Sequence, residues 1–132
     1  DRCKPMPPNF SSAFYGVLHD FKKDDALRIF KNYYSPESGR AMCEIGFPFF
    51  YSNSPTKVDE KNILCPTLTI GSGRDRITPI QISKKLKKKL GEKTELIIFE
   101  KFSHYIMEGN EFKEVFVKIT DWISKKIGDS EV

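Results

Sequence analysis

Two residues decide what chemistry this sequence could do, Asp75 and His104. Asp75 ends the stretch Pro66-Thr67-Leu68-Thr69-Ile70-Gly71-Ser72-Gly73-Arg74-Asp75, an apolar strand pattern that runs into a glycine-rich turn. His104 ends Ile97-Ile98-Phe99-Glu100-Lys101-Phe102-Ser103-His104, a second strand pattern that runs into a loop. Open α/β sheets keep their functional residues just beyond the carboxyl ends of their strands. Alone, Asp75 is an ordinary turn residue, because Asp bonds neighbouring amides in tight turns. As a pair at one edge of adjacent strands, the two have a chemical use. A carboxylate there fixes the imidazole tautomer and stabilises the imidazolium, leaving the second ring nitrogen to face a nucleophile. That nucleophile is missing from the pattern, since no G-x-S-x-G turn occurs in the chain. Ser72 precedes the acid instead of opening a helix, and Ser103 adjoins His104 in sequence, a poor arrangement for the required bond. Neither is read as a nucleophile. His19 falls in an expected helix and is read as structural.

The elements that must position the pair divide into two regions, residues 1–60 and residues 61–132. In the first, Phe14, Val17, Leu18 and Phe21 have helical spacing and predict a helix from Phe10 to about Lys22. Asp24 and Asp25 are expected to cap a second helix that runs to Tyr33. Ser35-Pro36-Glu37 has the order of a third helix start, and Pro48 limits that helix. In the second region, Leu68–Gly71 and Glu95–Phe99 are expected strands. Thr78-Pro79-Ile80-Gln81 reads as a capping box opening a helix that stops at Gly91. Asn110 is expected to cap a last helix with a single apolar face: Phe112, Val115, Phe116, Ile119, Trp122, Ile123 and Ile127. Two short parallel strands cannot cover both faces and both edges of a sheet by themselves. The expected fold class is therefore α/β with an incomplete parallel sheet, and the chain reads as part of a domain.

Composition narrows the partners. The net charge of +4 resides in residues 61–132, largely in Lys84-Lys85-Leu86-Lys87-Lys88-Lys89. Clustered lysines can neutralise phosphates. This run lies on an expected amphipathic helix with Ile82, Leu86 and Leu90 facing inward, and carries no aromatic residue to stack on bases. It is read as a solvated face, so no nucleic-acid partner is expected. No apolar run is long enough to span a membrane. Cys3, Cys43 and Cys65 are odd in number and lack metal-ligand spacing. They are read as reduced thiols of a cytoplasmic protein, and neither metal nor cofactor is expected. The opening Asp1-Arg2-Cys3-Lys4-Pro5 has no initiator Met and no apolar leader, which reads as a start inside a longer frame or after processing.

The stretch from Cys65 through Asp75 to Thr78-Pro79, the loop Phe102-Ser103-His104 and the final helix with Asp121-Trp122-Ile123 resemble the C-terminal part of the α/β-hydrolase superfamily. The likeness covers residues 61–127, and the family order of Ser, acid and His agrees with it. It implies that Asp75 and His104 are the triad acid and base, and that residues 1–60 occupy the place of the helical cap or lid. It also implies a nucleophile-bearing half upstream of this chain. The cap aromatics either line an apolar substrate pocket or pack the cap helices together. Phe14, Tyr15, Phe47 and Phe50, with Tyr105 beside His104, are the expected substrate contacts. On this resemblance the chain supplies the acid and base of an esterase- or lipase-like hydrolase acting on a small ester or related acyl substrate, and is inactive alone. The competing expectation is a truncated, non-catalytic module that oligomerises to complete its sheet.

Overall fold

A computed structural model describes residues 4–53 and 56–128. Among them the chain is a mixed α/β protein with two small sheets, one antiparallel and one parallel. The elements are β1 (Pro5–Met6), α1 (Phe10–Gly16), α2 (Lys23–Tyr33), β2 (Glu37–Ser38), α3 (Gly39–Gly46), β3 (Thr67–Ser72), α4 (Ile80–Leu90), β4 (Thr94–Phe99) and α5 (Asn110–Gly128). Short 3-10 turns lie at Pro48–Phe50 and Glu60–Asn62.

The parallel pair β3–β4 is the frame of the second region. It runs in register from Thr67 opposite Thr94 to Ser72 opposite Phe99. Both strands extend beyond the expected bounds, because the ladder recruits polar Thr67, Ser72 and Thr94 that apolar patterning overlooks. Thr94 and Ser72 are buried, at 2% and 6% exposure. Helix α4 packs on this pair, with Ser83 buried where its Cβ and Oγ face Gly71. The helix ends at Gly91, whose φ of +81° lies in the region glycine favours.

The helical region has its own core, formed by fully buried Leu18, Ala26 and Ile29. Phe10, Phe14, Phe21 and Phe30 pack around it, and Tyr105 joins from the loop after β4. Helix α1 is shorter than its apolar spacing suggests and stops at Gly16, after which a turn carries Phe21 back to Leu18, amide to carbonyl at 3.1 Å. Gly is a weak helix former, and this one packs against Ile77. The cap of α1 is Asn9, which accepts from the Ser12 amide at 3.0 Å. In α2 the N-cap position belongs to Lys22, and Asp24 and Asp25 lie within the first turn, where the helix dipole favours carboxylates.

Two further starts differ from expectation. Helix α3 begins at Gly39 with Ser38 as its cap, because Glu37 and Ser38 first pair antiparallel with Met6 and Pro5. That partner is about thirty residues away, so local spacing carries no sign of it. Helix α4 has Pro79 at its N-cap position, and Thr78 is committed elsewhere, to Asp75. Asn110 is the first residue of α5, and its expected capping side chain lies outside the described residues.

The apolar faces of α4 and α5 are only partly covered. Ile82 and Leu86, expected to face inward, are exposed, as are Phe116, Ile123 and Ile127 of the α5 stripe. Val115 is the fully buried member of that stripe. Cys43 and Cys65 are free thiols, and Cys3 lies outside the described residues. No helix among the described residues is long and apolar enough to cross a membrane.

Candidate active site

The acid turn and the histidine loop are joined by main-chain bonds that continue the sheet past its last paired residues. The Gly73 amide donates to the Phe99 carbonyl at 2.9 Å, and the Arg74 amide donates to the Phe102 carbonyl at 2.9 Å. Phe99 and Phe102 stack nearly parallel with ring centres 5.2 Å apart, which fixes the bend of the histidine loop. Glycine is required at position 73, because a Cβ there would lie 2.7 Å from the Glu100 Cα.

This stitching brings Asp75 and His104 together. The His104 Nδ1 lies 2.9 Å from Asp75 Oδ2, with the carboxylate side chain 7% exposed and the imidazole 38% exposed. The remaining capacity of the carboxylate is filled by its own turn. Oδ1 accepts from the amides of Ile77 and Thr78, both at 2.8 Å, and Oδ2 also accepts from the Thr78 hydroxyl at 2.7 Å. Burial is the largest influence on this acid and by itself would raise its pKa. The bonds from Thr78, His104 and Ile77 together outweigh burial and hold the pKa below the usual aspartate range. Asp75 is thus a carboxylate near neutral pH and can only accept, so the proton between the two residues belongs to His104 Nδ1. Nε2 has no hydrogen-bond partner among the described residues.

Two arginines flank Asp75 and tie its turn to the end of α1 and to the connection that follows it. Arg74 Nη2 is 2.6 Å from Asp20 Oδ1. Arg76 Nη1 donates to the Tyr15 carbonyl at 2.9 Å, and its guanidinium lies 4.8 Å from the centre of the Tyr15 ring. Neither residue stands out in the sequence. The anchoring role of Thr78 is legible there in principle: an Asp followed by Thr at i+3 is an Asx-type turn signature as well as a helix start.

The five expected substrate contacts separate. Tyr105 packs edge-on against Phe21, centres 5.9 Å apart, and lines a cleft of about 500 Å³ to which Ser103 also contributes and His104 does not. Burial, then the nearby Glu108 carboxylate, push its phenol upward, so it remains a hydrogen-bond donor. Phe14 packs on the helical core and against Phe10. Tyr15 is 69% exposed beneath Arg76. Phe47 and Phe50 form an exposed cluster with Phe49. Of the five, Tyr105 alone lines the cleft. The His19 side chain is 7% exposed, its Nε2 3.8 Å from Asp20 and its Nδ1 without a partner among the described residues. No group of three or more His, Cys, Asp or Glu side chains among the described residues could hold a metal ion.

Comparison with family models, with curated proteins and with solved structures finds no match to this chain.

Proposed function

We propose that this chain is the acid–base portion of a serine-type α/β hydrolase that cleaves a small ester or related acyl substrate. The observation that carries this reading is the 2.9 Å pairing of His104 Nδ1 with an Asp75 carboxylate already saturated by its own turn. Such a carboxylate orients the ring and offsets the charge the ring acquires. The nucleophile is supplied by a segment other than the described residues. His104 Nε2 takes the hydroxyl proton as the oxygen attacks the acyl carbon, and the imidazolium returns that proton to the leaving alcohol. Water then attacks the acyl-enzyme with His104 again as base, which releases the carboxylic acid and restores the hydroxyl.

The test is turnover of a nitrophenyl ester by the protein together with its nucleophile-bearing segment. His104→Ala is expected to lower kcat by about 10²–10⁴-fold, the usual contribution of a positioned general base. Unchanged turnover in that variant would sink the assignment.

The uncovered apolar residues of α4 and α5 favour a second reading, a non-catalytic module that associates to cover its sheet.

A further inference from the structure

A cleft of about 500 Å³, a volume that suits a small molecule, opens between the helical region and the histidine loop, and neither Asp75 nor His104 is among its lining residues. Its walls come from the α1–α2 connection, from α2, from the acid turn and from the loop after β4. Ser103 and Tyr105, the neighbours of His104 on either side, both contribute. An apolar pocket is one of the two expectations for the cap aromatics, whereas seven of the thirteen residues that line this cleft are charged.

Four cations meet in this cleft, Lys22, Arg28, Arg74 and Lys101, against three carboxylates, Asp20, Asp25 and Glu108. Most of that charge is internally compensated. Arg74 is paired with Asp20, and Arg28 is paired with Glu108, each pair linking the helical region to a loop of the second region. Asp25 stands three residues before Arg28 on α2, and its field also falls on that guanidinium. The side chains of Lys22 and Lys101 form no ion pair or hydrogen bond among the described residues. The four cations exceed the three carboxylates by one, so the cleft is net positive, and its two cations without an ion pair, Lys22 and Lys101, come from separate elements. Below it, the edge-packed rings of Phe21 and Tyr105 offer an apolar floor.

We infer that this cleft binds a small molecule carrying an oxyanion, a carboxylate or a phosphate, between Lys22 and Lys101, with its apolar portion against Phe21 and Tyr105. Lysine suits either anion, because an ammonium acts as a point charge without the bidentate geometry of arginine.

The experiment is an amide NMR titration of the chain at constant ionic strength with succinate, with inorganic phosphate and with uncharged dimethyl succinate. Saturable shifts at Lys22, Lys101, Ser103 and Tyr105 are expected with an anion and none with the diester. A response to succinate alone assigns the site to carboxylates, and a response to phosphate alone assigns it to phosphates. Both lysines are exposed, so Lys22→Ala with Lys101→Ala should leave the rest of the spectrum in place. The double variant should weaken binding about tenfold or more, the scale of a lost charge-assisted contact. Lys22→Glu with Lys101→Glu should abolish it. Shifts that fail to saturate, that the diester reproduces, or that survive charge reversal overturn the site. His104→Ala is expected to bind the anion as wild type does. A failed titration and a failed turnover assay are therefore separate results.

Discussion

Asp75 is held more firmly than a turn residue needs to be. Three bonds from Ile77 and Thr78 and one from His104 converge on two oxygens, and the side chain is 7% exposed. Because its folded pKa lies below the unfolded value, its contribution to stability is complete above the ordinary aspartate range. That contribution is lost as pH falls through the depressed folded value. Urea unfolding followed from about pH 7 to about pH 3 should show a steeper acid loss in wild type than in Asp75→Asn. Thr78→Val removes the hydroxyl bond and keeps the amide bond. It should cost about 0.5–1.5 kcal/mol near neutrality and shift the acid limb upward. Parallel acid limbs in all three proteins would contradict this account of the carboxylate. At this scale the sequence is informative: Asp75 and His104 are legible from their positions after two strand patterns. Thr78 is harder to read, because the same residue before Pro79 also fits a helix cap. Arg74 and Arg76 are not legible, since Asp20 and the Tyr15 carbonyl lie more than fifty residues away in sequence.

Elements were legible where local pattern and tertiary contact agree. The apolar centres of β3 and β4, the stop of α4 at Gly91 and the length of α5 follow from apolar periodicity and glycine placement. The start of α3 was hidden by the two-residue pairing of β1 with β2, and the end of α1 by the packing of Gly16 on Ile77. Both are long-range contacts that overrule a locally reasonable helix. The junction of the acid turn with the histidine loop depends on Gly73 in the same way. Gly73→Ala forces a Cβ against the Glu100 backbone, which cannot yield as a flexible side chain would. It should lower stability by about 1–3 kcal/mol, the usual cost of overpacking, and thermal unfolding measures it. A melting temperature equal to wild type would mean that the close approach of these two loops is not maintained in solution.

Few large apolar side chains are fully buried among the described residues. Leu18, Ile29 and Val115 are the largest fully buried ones, and apolar residues on both α4 and α5 remain in solvent. Among the described residues the parallel sheet has two strands, so each has an unpaired edge. Isolated residues 1–132 are expected to self-associate at micromolar concentration. Light scattering at the mass of one 15.3 kDa chain would contradict that expectation. The two-stranded parallel sheet could be anticipated from strand count, whereas the charged cleft could not, because it is assembled from three segments distant in sequence, residues 20–28, Arg74 and residues 101–109. The proposed function rests on one pair of residues, Asp75 and His104. The most direct test of that pair is the tautomer of neutral His104, read by long-range proton–nitrogen NMR on the imidazole. The proton is expected on Nδ1, with Nε2 free to accept, and Asp75→Asn should shift the population toward the Nε2–H form. A proton on Nε2 in wild type, or a tautomer indifferent to Asp75→Asn, would contradict the acid–base pairing.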